Sequence, residues 1–331
     1  MHKRKLKYLI KIGMVLLRYY CLLRQARNKE RILAAFLIIP ALLLLIPTYN
    51  FELTLLQSFL FQAMLVYVAL SIFWIVRYHY RLAGINFLIY LLLLFKINSP
   101  ITNSYQVAQG QEHLKVLQFN LRATNDAYQA TIDRVLELSA DFVSFQEVSY
   151  QWANQLENGL NNDYPYSKVV RNSDESQGIA VFSKYPLIDT QVIIWGETVN
   201  IGGKVKIRNE KVNFLALHTR SPTTEIKWTA RNEHLIQARD FIQKQAGEFL
   251  VLGDFNTVPW DKRLLSFKST TELKDSRKRL TPTYPAWNPF IAQIPIDYIF
   301  HSKGIGCQSL DSVDITSDHK ALLGTFGIRG M

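Results

Sequence analysis

Asn120, Glu147, His218, Asp254, Asn256, Asp297, Asp318 and His319 all stand where an apolar run meets a loop. Asn120 closes LKVLQFN, Glu147 closes DFVSFQE, His218 closes KVNFLALH, and Asp254 and Asn256 close FLVLGDFN. Asp297 opens DYIF, while Asp318 and His319 precede KALLGTFG. Carboxylates, carboxamides and imidazoles are the groups that bind a hard divalent cation or carry protons near neutral pH. Any one of them serves equally well as a cap, a turn residue or a solvated rim position. Together, their types fit metal-assisted or acid–base hydrolysis. Asp254 and Asn256 lie two apart, and positions i and i+2 of a strand share a face, so the pair is expected to converge on one spot.

The elements that must position these residues begin at 114 and alternate between strand and helix. Strands are expected at 114–121, 141–148, 178–185, 190–197, 204–209, 211–219, 249–256, 297–302 and 319–327. A helix over 126–139 carries Ile132, Val135, Leu136 and Ser139 at i, i+3, i+4, i+7 spacing, and a longer one covers about 223–246. In the strand 141–148, Asp141, Val143, Phe145 and Glu147 would share a face. Hairpins mixed with β-helix-β units predict two packed sheets covered by helices, not a doubly wound dinucleotide fold. No internal repeat is visible.

The ordered set QFN (118–120), QE (146–147), GIAVFSK (178–184), HTRSP (218–222), GDFN (253–256), IDYIF (296–300) and SDH (317–319) resembles the endonuclease/exonuclease/phosphatase superfamily, the DNase I-like fold. The resemblance implies a four-layer α/β sandwich and divalent-metal-dependent hydrolysis of phosphoesters. It implies Glu147 as principal ligand of Mg²⁺ or Mn²⁺, helped by Asn120 and Asp318. It further implies Asp254 orienting or deprotonating water, Asn256 holding a phosphate oxygen, and His218 binding phosphate or assisting the leaving oxygen. His319 would be the second proton-handling group, with Asp297 fixing its tautomer. Which of Asp254 and His319 is the base stays open.

Other polar residues are less distinctive. His234 sits beside Leu235 and Ala238 on the long helix and reads as structural. Trp228 and Arg231 are either a packing pair or a phosphate contact. Arg277, within the run Arg277–Arg279, is either part of a solvated loop or a rim residue that meets an anionic headgroup. Arg231 and Arg277 are thus the substrate-binding candidates.

The first hundred residues differ in kind. The chain of 331 residues has a net charge of +11. Residues 1–31 hold ten Lys/Arg against one acid, 32–110 hold three against one, and the remainder balances. The basic excess therefore belongs to the N-terminal part, and a neutral domain lacks the field that draws in long polyanions. Three apolar segments at 32–47, 53–76 and 82–97 are expected to span a membrane; the middle one reaches the about 20 residues a span needs, the others are short. The basic segment before the first span and the Arg77/Arg81 loop should be cytoplasmic. Everything after the linker, 98–113, should then be extracytoplasmic, so the chain reads as a multi-pass protein of the cytoplasmic (inner) membrane. In residues 4–18, Arg4, Lys7, Lys11 and Arg18 gather on one helical face, which suits either an interfacial helix on anionic lipid or a plain positive-inside flank. Cys21 and Cys307 have no metal-type spacing and are expected on opposite sides of the membrane.

The sequence predicts a membrane-anchored, metal-dependent phosphoesterase built from residues 114–331. Its expected partners are the lipid bilayer and a phosphodiester of a lipid or other envelope component. A tethered nuclease is the alternative within the same chemistry, with nucleic acid less favoured. A non-catalytic tethered binding module is the alternative from another class.

Overall fold

The computed structural model describes residues 28–101, 112–172 and 175–328. Residues 1–27, with the expected interfacial helix, and most of the expected linker lie outside the described residues. The chain divides into two compact units, one within Met1–Ile46 and Leu60–Phe95, the other within Pro47–Phe59 and Lys96–Met331.

Among the described residues, four apolar helices come first: α1 (Asn28–Leu45), α2 (Phe51–Gln57), α3 (Leu60–Val76) and α4 (Tyr80–Asn98). Only α4, among the described residues, is long and apolar enough by itself to cross a membrane, and α2 with α3 qualify together although bent by 61°. The apolar part of α1, Ile32–Leu45, is shorter, and Pro40 interrupts its hydrogen bonding. The expectation of three continuous spans thus resolves to one helix that meets the length on its own. Segment 53–76 is broken at Ser58–Phe59, a turn that no Gly or Pro announces. Within the first unit, two buried hydroxyls are paired between helices: Tyr67 Oη donates to Leu37 O at 2.7 Å and Ser71 Oγ to Ala83 O at 3.0 Å. Such pairing is what an apolar surround demands.

Helix α2 belongs to the second unit. Gln57 O accepts a hydrogen bond from Trp260 Nε1 at 2.7 Å, and the Phe51 ring lies 6.1 Å from that of Trp228. Asn50 caps α2 by accepting from Leu53 N at 2.9 Å.

The rest of this unit is a four-layer sandwich. In chain order it comprises β1 (Glu112–Asn120), α5 (Tyr128–Leu138), β2 (Phe142–Gln146), α6 (Tyr150–Leu160), β3 (Tyr166–Val170) and β4 (Ile179–Ser183). There follow β5 (Leu187–Trp195), β6 (Thr198–Ile207), β7 (Glu210–His218), α7 (Glu225–Gln243) and β8 (Phe249–Asp254). The chain ends with α8 (Lys262–Thr271), β9 (Lys274–Asp275), β10 (Asp297–His301), β11 (Ile305–Val313) and β12 (Ala321–Ile328). One sheet has the order β11-β12-β1-β2-β4-β3, the other β5-β6-β7-β8-β10-β9. The sequence signal missed α6, α8, β3, β9 and β11. Strand β3 ends one sheet, β9 has two residues, and β11 alternates with exposed polar residues, so their apolar signal is thin.

Alternation divides each strand between two cores. Leu114 and Val116 face the other sheet, as do Phe214 and Ala216, Leu250 and Leu252, and Ile299. Leu117 and Phe119 face α5 and α6, whereas Leu215, Val251, Tyr298 and Phe300 face α7 and α8. Continuing the inward series leads to Gln118 and Asn120 on β1, His218 on β7, Asp254 on β8 and Asp297 on β10. The space between the sheets is therefore apolar at one end and polar at the other.

Candidate active site

Strand direction explains why the polar residues meet. Strands β1 and β2 run parallel, as do β7 and β8, so their C-terminal ends lie together. Strand β10 is antiparallel to β8 and β12 to β1, so their N-terminal ends arrive at the same edge. In register, His218 faces Asp254, and Asp254 faces Asp297. Gly253, with φ of +152°, lets β7 and β8 approach directly behind Asp254, since a Cβ there would sit 1.8 Å from Leu217 O.

The two sheets are stitched at this end. Asn120 Nδ2 donates to Glu147 Oε1 at 3.0 Å and across the sandwich to Asp254 Oδ2 at 3.1 Å. Gln118 Nε2 donates to Asp297 Oδ1 at 3.0 Å and to Gln146 Oε1 at 2.8 Å. The other oxygen of Asp297 lies 2.8 Å from His319 Nδ1. That imidazole presents Nε2 to Asp254 Oδ2 at 3.8 Å, and His218 Nε2 lies 3.7 Å from the same oxygen and 3.9 Å from Glu147 Oε1. Gaps near 4 Å between a donor and a carboxylate leave room for a bridging oxygen.

Asp254, Asp297, His218 and His319 are all buried, which sets their titration. Burial, reinforced by the Asp297 carboxylate, pushes Asp254 up to about 8. Burial opposes a charged His319, but Asp297 at hydrogen-bond distance, with Asp254 and Asp318, outweighs it and raises His319 to about 10. Burial lowers His218, which favours a neutral ring. Ligand atoms of Asp254, Asp297 and His319 lie within 4.8 Å of one another. Both oxygens of Asp297 are engaged by Gln118 and His319, so this trio reads as a proton-handling set and not as a cation cage.

Glu147 differs. Its φ of +55° turns it out of β2, so strand alternation is not what aims it at the pocket. Its Oε2 accepts from Ala123 N at 3.1 Å, and its side chain keeps 23% exposure. Asp318 lines the same pocket, 3.9 Å from Arg122 Nε, and Ser317 Oγ ties that loop to Asn120 O at 2.8 Å. Asn256 also reaches the site by another route than expected: it leaves the strand at φ +48°, donates its N–H to Asp254 Oδ1 at 2.8 Å and its Nδ2 to Thr219 O at 2.9 Å.

The pocket holds about 250 Å³ and is lined by Glu147, His218, Asp254, Asn256, Asp318 and His319, with Asn120 and Asp297 bonded directly behind. All eight residues of the opening set thus come together. The two arginines proposed as substrate contacts do not line the pocket. Arg231 is buried behind it, donating to Asn256 O at 3.3 Å, to Asn232 Oδ1 at 2.8 Å and to Asp261 Oδ2 at 3.4 Å. Arg277 is buried in a two-nitrogen grip on Asp275 and stacks 3.8 Å from the Tyr298 ring centroid. A buried guanidinium needs a carboxylate, and each has found one away from the pocket. The cations at the pocket are instead Arg220 and Lys227. His234 is buried as expected, bonded to Thr198 and edge-on to Trp195 at 5.0 Å.

Sequence reasoning also passed over Gln118, Gln146, Ser317 and Tyr284, whose ring lies 4.8 Å from that of His319. A signal existed for Gln118: it occupies an inward strand position two residues before Asn120, where a polar side chain needs a partner.

Residues 117–319 match the model of the Endonuclease/Exonuclease/phosphatase family. A search of curated proteins by sequence returns no match. Among solved structures, the chain is similar to an endonuclease/exonuclease/phosphatase family protein from Bacteroides thetaiotaomicron, with 19% identity, TM-score 0.57, and coverage of 68% of this chain and 97% of the other. It is similar to the humanized TDP2 of D. rerio, with 14% identity, TM-score 0.54, and coverage of 65% and 98%. It is also similar to sphingomyelinase C from Streptomyces griseocarneus, with 16% identity, TM-score 0.51, and coverage of 66% and 100%. At these identities the likeness is one of fold. With two packed sheets, a carboxylate–imidazole pocket at their polar end and a family match spanning that whole region, the chain belongs to the endonuclease/exonuclease/phosphatase family of phosphoric ester hydrolases.

Proposed function

We propose that the protein is a membrane-anchored, divalent-metal-dependent phosphodiesterase acting on a lipid or other envelope phosphodiester. The observation that carries the chemistry is the Asp297–His319 pair facing Asp254 across 3.8 Å, with Glu147 and His218 beside it.

The donor set fits a hard cation. Three carboxylates, Glu147, Asp254 and Asp318, line one small pocket, and Asp254 is driven toward its neutral form by burial and its neighbour Asp297. Glu147, with Asp318 and Asn120 beside it, would hold Mg²⁺ or Mn²⁺. When bound, such an ion polarises a phosphoryl oxygen and screens charge as it builds. The chain's own groups do the rest. Asp254, raised toward the working pH, is matched to accept a proton from water. His319, held charged by Asp297, is the donor for the leaving oxygen. Neutral His218 has Nε2 toward two carboxylates, the nitrogen placed to carry hydrogen and donate to a phosphoryl oxygen; its Nδ1 is buried without a partner. Arg220 and Lys227 supply positive charge at the rim.

Two features support a lipid surface over nucleic acid. The domain is neutral overall. The loop between Tyr284 and Ile296, both pocket-lining, exposes Trp287 at 63%, Phe290 at 50% and Ile291 at 58%, a grouping suited to a bilayer interface. The apolar helices before the domain support anchoring in the same chain. A nuclease remains the second reading, favoured only by the phosphodiester chemistry itself.

The test is hydrolysis of bis-p-nitrophenyl phosphate by the detergent-solubilised full chain with Mg²⁺ or Mn²⁺, beside Glu147→Ala and His319→Ala. Each substitution should lower turnover by about 10²–10⁴-fold. Equal turnover in all three proteins would leave a binding module. Liposomes and plasmid DNA offered side by side separate the substrates, and cleavage of DNA alone would overturn the lipid reading.

A further inference from the structure

A second cavity, of about 570 Å³, opens beside the catalytic pocket and shares Arg220 and Lys227 with it. Its walls are the turn joining β5 to β6 and one face of α7, where Ile226, Ala230, Glu233 and Gln237 follow helical spacing. A volume of this order accommodates a small-molecule group. Because the two cations stand at the junction, a phosphodiester held in the first pocket would extend one ester arm into the second.

The lining selects the chemistry of that arm. Glu197 and Glu233 balance Arg220 and Lys227, and Arg220 already pairs with Glu197 at 2.6 Å. The groove therefore calls for neither a second anion nor a cation. His234, at 3% exposure, forms part of its lining. Its Nδ1 lies 3.0 Å from Thr198 Oγ1, and that hydroxyl spends its only hydrogen on Trp195 O at 2.7 Å. Nδ1 must then carry the imidazole hydrogen, and Nε2 is a bare acceptor with no protein donor. Burial holds the ring neutral, lowering it to about 3. The groove offers acceptors in Glu233 and Gln237 and donors in Arg220, Lys227 and Gln237, a mixture that suits hydroxyls, which both donate and accept, and the indole of Trp195 supplies an apolar wall.

We propose that this groove binds a neutral, hydroxyl-rich headgroup, a polyol or sugar ring, on the phosphate held in the catalytic pocket; the proposal rests on the lipid phosphodiesterase reading. Ring C–H groups would lie on Trp195 and hydroxyls would donate to Glu233 and Gln237. A fatty acyl chain would strip water from the charged rim without replacing its hydrogen bonds. A quaternary ammonium has no hydrogen to donate to Glu233 or Gln237.

The test compares phosphatidylinositol with phosphatidylcholine in mixed micelles, using the full chain, Trp195→Ala and Glu233→Ala, with thermal melting to confirm folding. The native chain should favour the inositol lipid, and each substitution should cut the ratio of kcat/KM values about tenfold, the loss of one good hydrogen bond or stacking contact. Preference for choline, or a ratio that survives both substitutions, overturns the proposal. Should neither lipid be cleaved, the lipid reading fails on its own, and saturation-transfer NMR with free myo-inositol decides the groove. Signals with the native chain that vanish in Trp195→Ala sustain it, and no signals with the native chain overturn it.

Discussion

Asp254 and His319 draw their properties from one neighbour, Asp297, and this makes them separable by experiment. Asp297→Asn keeps the shape beside His319 Nδ1 but removes the charge that raises the imidazole. If His319 acts in its protonated form, the alkaline limb of the pH–rate profile should move to lower pH, and kcat should fall by about 10²–10⁴. An unmoved alkaline limb would mean that His319 is not the acid. For Asp254 the sign runs through stability. A carboxyl raised to about 8 binds its proton more tightly in the folded chain, so metal-free stability is complete below the ordinary carboxylate value and declines as pH rises toward 8. Asp254→Asn should abolish turnover yet raise the metal-free melting temperature at pH 8 and not at pH 4. The gain should be on the order of 1–3 kcal/mol, the cost of a poorly satisfied buried polar group, and Mg²⁺ should shrink it by favouring the native carboxylate. Much of this site was legible beforehand, because apolar-to-polar junctions mark where strands stop. Arg231 and Arg277 were not, since a guanidinium buried on a distant carboxylate looks in sequence like one on a surface.

At the level of elements, the sequence revealed long apolar strands and amphipathic helices and concealed weakly apolar ones such as β11, where exposed Asp311 and Ser312 dilute the signal. It also assigned α2 to a continuous span, when Gln57 and Phe51 in fact pack on Trp260 and Trp228 of the sandwich. Nothing local distinguishes an apolar helix that meets lipid from one that meets tryptophan. The consequence is practical: a fragment beginning at residue 111 strips the cover from both indoles and from Lys262, which stacks 3.8 Å from the Tyr49 ring centroid. That fragment should melt lower and aggregate more readily than the full chain, and Trp260→Phe in the full chain should cost about 0.5–1.5 kcal/mol by removing the indole hydrogen bond to Gln57 O. A fragment as stable as the full chain would remove α2 from the catalytic unit. The loop carrying Trp287, Phe290 and Ile291 makes a complementary test. Replacing all three with Ser should leave cleavage of a soluble diester near the native level while vesicle cleavage falls about tenfold or more, each exposed side chain losing part of its burial energy in lipid.

For the whole molecule, the docking of residues 47–59 bears on topology independently of charge. A segment packed on the sandwich shares its side of any membrane, so on the proposed anchoring the 17-residue α3 would leave that side and α4 would return to it. The turn between them holds Arg77 and Arg81, the residues that the positive-inside rule keeps cytoplasmic. On the proposed membrane anchoring, charge and packing would both place the catalytic unit outside, with α1 crossing as well. If α1 did not cross, the ten Lys/Arg of residues 1–31 would share the outer side with the sandwich, against the same rule. We therefore predict that alkaline phosphatase fused after residue 331 is active, that a fusion within 47–50 is active, and that one at Tyr78 is inactive. Activity at Tyr78 with silence at the C-terminus would reverse the orientation. Activity at 47–50 with silence at the C-terminus would break the link between loop and sandwich, leaving the catalytic pocket facing the cytoplasm.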